Sequence, residues 1–285
     1  MRTLKLTIAY DGTRYEGWQT QRRRAAGPTV QGALEQVLRQ ILQEPVTVVG
    51  SGRTDAGVHA AAQVAHVKTR SAISVPRLLR SVNQLLPPDI AVTRLAAVRA
   101  SFHARFDAVR KRYRYRLFTG EVVPPFIRPY VYHVRAPLSL SGMRREAAAL
   151  LGRHDFGAFA RARKDGGTTP STRYARSGSS RATSRGTTTR AITRLSLRRQ
   201  GQEIYLDVEG DGFLHTMVRT IAGTLVDVGR GHLPAGTLRR MLRTKRRKLA
   251  GIVAPARGLT LVSVRYAQHA SRVAQGCRAG LAVVS

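Results

Sequence analysis

Hydrophobic and polar positions alternate from the first residues of the chain. Leu4, Leu6, Ile8 and Tyr10 fall on every second position, which predicts a strand with one buried face. Asp11-Gly12-Thr13 turns it. After Pro28-Thr29 the period changes: Val30, Leu34, Val37, Leu38, Ile41 and Leu42 sit at helical spacing, and Pro45 ends the run. The apolar run Val46–Val49 reads as a strand, and Gln63–Val67 as a return strand. Pro76 opens a second helix with Leu78, Leu79, Val82, Leu85 and Leu86 on its apolar side, closed by Pro87-Pro88. Ile90–Val98 reads as a strand. Helix signals recur over Ser141–Leu151, and strands at Ile192–Leu197 and Glu203–Glu209. The stretch from Phe213 to Gly229 predicts a helix buried along Leu214, Val218, Ile221 and Leu225. Leu238, Met241 and Leu242 suggest a last helix, and Leu259–Tyr266 a final strand.

Two stretches break the ordinary pattern. Residues 111–118 alternate aromatic with arginine rather than apolar with polar: Lys111, Tyr113, Tyr115 and Leu117 on one face, Arg112, Arg114, Arg116 and Phe118 on the other. The arginine face suits phosphates and a tyrosine suits a base; the same pattern also fits an edge strand whose arginines face water. From residue 161 to 190 aliphatic side chains nearly vanish. Residues 163–187 carry Arg163, Lys164, Arg173, Arg176, Arg181 and Arg185 against Asp165, the composition of a flexible basic insertion able to touch phosphates. The tail from 267 to 285 is small and polar, with the composition of a disordered segment.

Charge narrows the partner. The chain has 285 residues, with 49 basic against 16 acidic, net +33. Such a chain repels itself unless it meets a polyanion, which points to nucleic acid before a membrane surface. Its 42% apolar residues suffice for a core, and the length suits about two domains or one large one. No apolar run reaches spanning length, the N-terminus is not patterned as a signal peptide, and the single Cys277 excludes an internal disulfide; these features suit a cytoplasmic protein. His59, His66 and His103 show no metal-ligand spacing, so no metal is expected.

The chemistry concentrates in Gly50–Ala60, GSGRTDAGVHA. Three glycines there let the backbone turn tightly and approach a ligand, and they hold Arg53 and Asp55. A carboxylate so placed can be a base, a nucleophile or a metal ligand, or an ordinary turn aspartate bonded to its own backbone. The stretch is neither a dinucleotide loop nor a phosphate-binding P-loop: Asp55 stands where a third glycine is needed, and Val58-His59 follow Gly57. Arg219 falls within the apolar helix beside its buried stripe. It either meets an anion, for which Asp55 is the candidate because acids are scarce, or reaches water at the helix margin. Trp18, beside Arg22–Arg24, either stacks a base or packs at a core edge.

GRTDAGVHA, FHARFDA, KRYRYRL, GFLHTMVRTIAGTL and GLTLVSV, with the opening AYDGTRYEGWQTQ and the PPDIAV segment, occur in an order that resembles the tRNA pseudouridine synthases of the TruA family, from about Leu4 to Tyr266. The resemblance implies an α+β fold of two pseudo-symmetric halves. Their mainly antiparallel sheets join into one central sheet, with helices outside and the active cleft between the halves. On this chain the halves would be 1–104 and 105–266. It implies a homodimer that grips tRNA and isomerises uridine to pseudouridine on the 3′ side of the anticodon stem-loop, at positions 38, 39 and 40, with no cofactor and no metal. Carried over by motif, Asp55 matches the catalytic aspartate and Arg53 the arginine that displaces and accommodates the target base. Tyr113 matches the tyrosine packed on that base, Arg219 the arginine paired with the aspartate, and Leu259 the apolar lining of the base pocket. The stretch near 163–187 is longer than the family's loop there and blurs its threonine-containing signature; TTTRAI (187–192) is the nearest remnant. Two other classes fit the charge: a non-catalytic tRNA-binding protein or RNA chaperone on the same scaffold, and a metal-dependent nuclease, for which a second acid near the loop is lacking.

Overall fold

The computed structural model describes residues 1–20, 27–161 and 187–267. The arginines at 22–24, the basic insertion near 163–187 except its last residue, Cys277 and nearly all of the tail lie outside the described residues.

The alternation at the N-terminus forms strand β1 (Arg2–Tyr10). Helix α1 (Val30–Leu42) follows, its N-terminus capped by Thr29, whose hydroxyl accepts from the Gly32 N–H at 3.1 Å. The apolar run at 46–49 pairs only at its end, as β2 (Val49–Gly50), while the return strand β3 (His59–Thr69) is longer than its apolar core. Helix α2 (Val75–Leu85) begins with proline in its first turn, and β4 (Ile90–Val98) returns to the sheet. Strand β5 (Ala108–Phe118) carries the tyrosine–arginine alternation. Next come β6 (Tyr132–His133), α3 (Leu140–Ala148), β7 (Gly152–Asp155), β8 (Thr189–Gln200) and β9 (Glu203–Gly210). The chain ends its order with α4 (Met217–Gly229), α5 (Thr237–Thr244) and β10 (Leu259–Tyr266).

The ten strands form one sheet, ordered β4-β1-β3-β10-β5-β9-β8-β7, with β2 attached to β3 and β6 to β5. This is the expected mixed α+β architecture around a central, mainly antiparallel sheet. β10 lies between the N-terminal strands and the rest: it pairs parallel with β3 (Thr260 with His59, Leu261 with Ala60) and antiparallel with β5. One apolar cluster runs along one face of the sheet, joining Leu4, Leu6 and Ile8 of β1 to Tyr113, Tyr115 and Leu117 of β5 and to Leu206 and Val208 of β9. It takes in Leu34 and Leu38 of α1, Leu78 of α2, Met143 of α3 and Ile221 and Leu225 of α4.

The arginines of β5 do not behave as either sequence reading proposed. β5 is an interior strand, flanked by β10 and β9, so it is no edge. Its arginines meet acids on the neighbouring strand. Arg114 grips Asp207 through two bonds of 2.8 and 3.0 Å, and Arg116 does the same to Glu203 at 2.9 and 3.1 Å. Arg112 and Arg198 reach the same Asp207 at 3.3 and 3.7 Å. Burial opposes ionisation of Asp207, but Arg114 and Arg112 overcome it and hold the carboxyl below its ordinary range.

One pair of alternatives is decided and one expectation corrected. Trp18 is a core residue, 2% exposed, set against Tyr10 and over Gly50, where any side chain would sit about 2.6 Å from the indole. It offers no face to a base. Helix α4 starts at Met217, so Leu214 belongs to the preceding loop; Thr216, with φ +61°, breaks the helical path just before it.

Candidate active site

Asp55 lies on the loop between β2 and β3, and two neighbouring turns fix that loop's backbone. Trp18 N–H donates to the Thr54 carbonyl at 3.2 Å, and Gly57 N–H to the Tyr15 carbonyl at 3.3 Å. The approach is closest at Gly17, in the left-handed region at φ +93°: a side chain there would meet the Thr54 carbonyl oxygen at 2.5 Å. On the other flank Ser51 Oγ donates to Gln63 Oε1 at 2.7 Å, and Gln63 Nε2 donates to the Gly52 carbonyl at 3.0 Å. Tyr10 and Thr54 share a buried hydroxyl bond of 2.9 Å. The loop is therefore held from below by β1 and β3, with the Asp55 side chain left partly open.

That side chain meets Arg219 of α4. Arg219 Nη1 donates to Asp55 Oδ2 at 2.9 Å, and its Nε donates to the Ala254 carbonyl at 2.8 Å. The second bond fixes the plane of the guanidinium, so the first has a defined direction. Both side chains are about one-fifth exposed, enough for a ligand to reach and too little for water to screen them fully. Of the two readings of Arg219, the pairing with Asp55 holds. Asp55 is accordingly no simple turn residue, for its carboxylate points at another element 164 positions away.

Pattern reading missed His215. Its Nε2 lies 3.4 Å from Asp55 Oδ1, the oxygen that Arg219 leaves. It sits four positions before Arg219 in the same motif, and that proximity was its one sequence signal.

Tyr113 and Leu259 lie on the neighbouring strands β5 and β10. Tyr113 is 8% exposed and meets the edge of Phe213 at 5.2 Å between ring centres. Burial, then Tyr10 and Asp55, push its hydroxyl well above the ordinary phenol range, so it stays protonated. Leu259 is 6% exposed and pairs in register with Tyr115, while Leu261 pairs with Tyr113. Gly258 lets the chain pass over the Tyr115 ring, whose hydroxyl donates to the Pro255 carbonyl at 2.7 Å. Arg53, by contrast, is exposed, and its Nε donates to Gln19 Oε1 at 3.0 Å rather than joining the Asp55–Arg219 pair.

The structure thus brings Asp55, Arg219 and Tyr113 together with His215 and Phe213, puts Leu259 at the neighbouring ladder position, and leaves Arg53 at the rim. Such an arrangement offers an oriented carboxylate beside a buried tyrosine ring. Among the described residues no group of three or more His, Cys, Asp or Glu side chains comes together as metal ligands do, and no helix is long and apolar enough to cross a membrane.

A family model described as tRNA pseudouridine synthase matches residues 6–107 and 147–267. Arg53, Asp55, Arg219 and Leu259 lie inside the matched residues, and Tyr113 lies between them. The chain is 42% identical over 266 residues to tRNA pseudouridine synthase A of Moorella thermoacetica, covering 93% of this chain and 100% of that protein. It is 40% identical to the protein of that name from Acetivibrio thermocellus and 41% identical to that from Pelobacter propionicus, with the same coverage.

Proposed function

Because the chain belongs to the tRNA pseudouridine synthase family and is an isomerase that makes pseudouridine in tRNA, we propose that Asp55 is its nucleophile and that its targets are uridines on the 3′ side of the anticodon stem-loop. The observation that carries the assignment is the Asp55–Arg219 pair, oriented by Ala254 and set beside Tyr113. The reaction breaks the N1–C1′ bond of uridine and joins C1′ to C5. The proton lost from C5 is balanced by one gained at N1, so no electrons enter or leave. A carboxylate can drive it by attacking C1′ or by adding to C6. Either route needs the carboxylate aimed, and Arg219, itself fixed by the Ala254 carbonyl, aims it. Tyr113 and Leu259 form the slot in which the detached uracil turns, and Arg53 at the rim helps displace and accommodate the target base. The cleft lies between halves 1–104 and 105–266, and no metal takes part. The working form is a cytoplasmic homodimer holding tRNA across both subunits.

The test incubates purified protein with undermodified tRNA without added metal and measures pseudouridine, alongside Asp55→Asn. The wild type should form pseudouridine, and the variant should fold and bind tRNA while turning over less than about 1% as fast. Binding without product by the wild type would support an RNA-binding protein instead, strand cleavage a nuclease.

A further inference from the structure

A second charged feature lies beside the catalytic loop and is not part of the Asp55–Arg219 pair. Lys111 is on β5, two positions from Tyr113 and on the same face of the strand. Its ammonium is tucked beneath the loop, donating to the Ser51 carbonyl at 2.7 Å. A side chain at Gly52 would meet Lys111 Nζ at 2.7 Å, so glycine keeps this approach open. Across the ladder Lys111 faces Gly210, where the chain leaves β9 for the loop that carries Phe213 and His215. Arg190 comes to the same loop from β8: a side chain at Gly212 would meet its Nε at 3.4 Å. Arg190 is held there by its own backbone contacts, Nη1 donating to the carbonyls of Thr187 and Thr189 at 2.8 and 2.6 Å. Arg105 lies within electrostatic reach of both.

This grouping is unfavourable in the protein alone. Burial weakens the charge of Lys111 and of Arg190, and Arg190 repels Lys111. The nearby carboxylate, Asp211, attracts Arg190 but is shared: its Oδ1 accepts from the Ala191 N–H at 2.9 Å, and its Oδ2 meets Arg153 at 3.4 Å. An anion entering between Gly52 and Gly212 would relieve the repulsion. The two loops concerned, 50–55 and 210–215, are the ones that hold Asp55, Phe213 and His215.

We propose that Lys111 and Arg190 form a subsite for one RNA phosphodiester flanking the uridine whose base enters beside Tyr113, a proposal that rests on the function given above. The subsite positions the backbone while Asp55 acts on the sugar or the base.

The experiment uses anticodon stem-loop RNAs in which each phosphodiester flanking the target uridine is replaced, one at a time, by a neutral methylphosphonate. Affinity and single-turnover pseudouridine formation are measured for wild type, Lys111→Met, Lys111→Arg and Arg190→Gln, with folding checked by thermal unfolding. The wild type should lose about tenfold in affinity at one linkage, the size of one lost charge-assisted contact. Lys111→Met should bind the native RNA about tenfold more weakly and be insensitive to that same linkage, whereas Lys111→Arg should keep the sensitivity. Equal loss at every linkage in wild type and variants would overturn the subsite. Arg190→Gln carries the same comparison if Lys111→Met does not fold. Absence of pseudouridine in wild type with the native RNA would instead count against the proposed function itself.

Discussion

Lys111→Met should make the protein more stable at neutral pH. Burial, followed by repulsion from Arg105 and Arg190, lowers the Lys111 ammonium from 10.5 to about 8. The unfolded chain holds that proton more tightly than the folded one. Below about pH 8 both states are protonated, and the folded state bears the whole cost of confining the charge. At about 1.4 kcal/mol per pH unit that cost is about 3 kcal/mol. Between about pH 8 and 10.5 the folded protein releases the proton while the unfolded chain keeps it, so the lysine's burden on stability disappears as pH rises. Methionine removes the charge and keeps an adaptable unbranched chain, but it loses the bond to the Ser51 carbonyl, about 1 kcal/mol. The net expectation is a gain of about 2 kcal/mol at pH 7 that is gone by about pH 10. Urea unfolding of both proteins at the two pH values measures the difference, and subtracting wild type from variant cancels every other titration they share. A variant less stable than wild type at pH 7, or a difference unchanged between the two pH values, would refute the argument. Together with weaker RNA binding, a more stable Lys111→Met would mark a position where stability is given up for function.

Arg219→Leu should cut single-turnover rate by about a hundredfold with little change in tRNA affinity, because the carboxylate of Asp55 loses the partner that orients it; an unchanged rate would mean the pair has no catalytic weight. Tyr113→Phe should fold normally and react more slowly in single-turnover assays, since the hydroxyl lies within the field of Asp55; wild-type rates would assign the whole effect to the ring. Gly223→Ala should cost about 3 kcal/mol and lower the rate as well, read by thermal unfolding and single-turnover assay. Its methyl would come 1.8 Å from the Ile252 carbonyl oxygen, and the segment it displaces carries the Ala254 carbonyl that orients Arg219.

Local periodicity made much of this fold legible. The alternation of Leu4, Leu6, Ile8 and Tyr10, and the helical spacing from Val30 to Leu42, each follow from one buried face. The Asp55–Arg219 pair was readable in principle because the chain has so few acids that a buried arginine has few choices. What was not legible depends on partners distant in sequence. The arginines of β5 look available until Asp207 and Glu203 arrive some ninety positions later on β9. Trp18 sits next to arginines in sequence, yet the lack of a side chain at Gly50 draws it into the core. The start of α4 turns on a left-handed Thr216, which no apolar stripe reports. His215 carries no spacing signal of its own, because its partner is on another loop.

The place of β10 in the sheet sets an order of assembly. β4, β1 and β3 can pair once the first hundred or so residues are synthesised, and β5, β9 and β8 once the next hundred are. Until Leu259–Tyr266 emerges, β3 and β5 each show an edge covered only in part, by β2 and β6, and the rest invites wrong partners. Closing them joins Thr260 to His59 over some two hundred residues, a contact of high sequence separation and so a late event in folding. The same closure seats Leu259 beside the tyrosine wall and, just upstream, Ala254 against Arg219. A nascent chain stopped short of β10 would hold Asp55 and Arg219 without the frame that aims them, so the site is completed only when the two open edges are sealed.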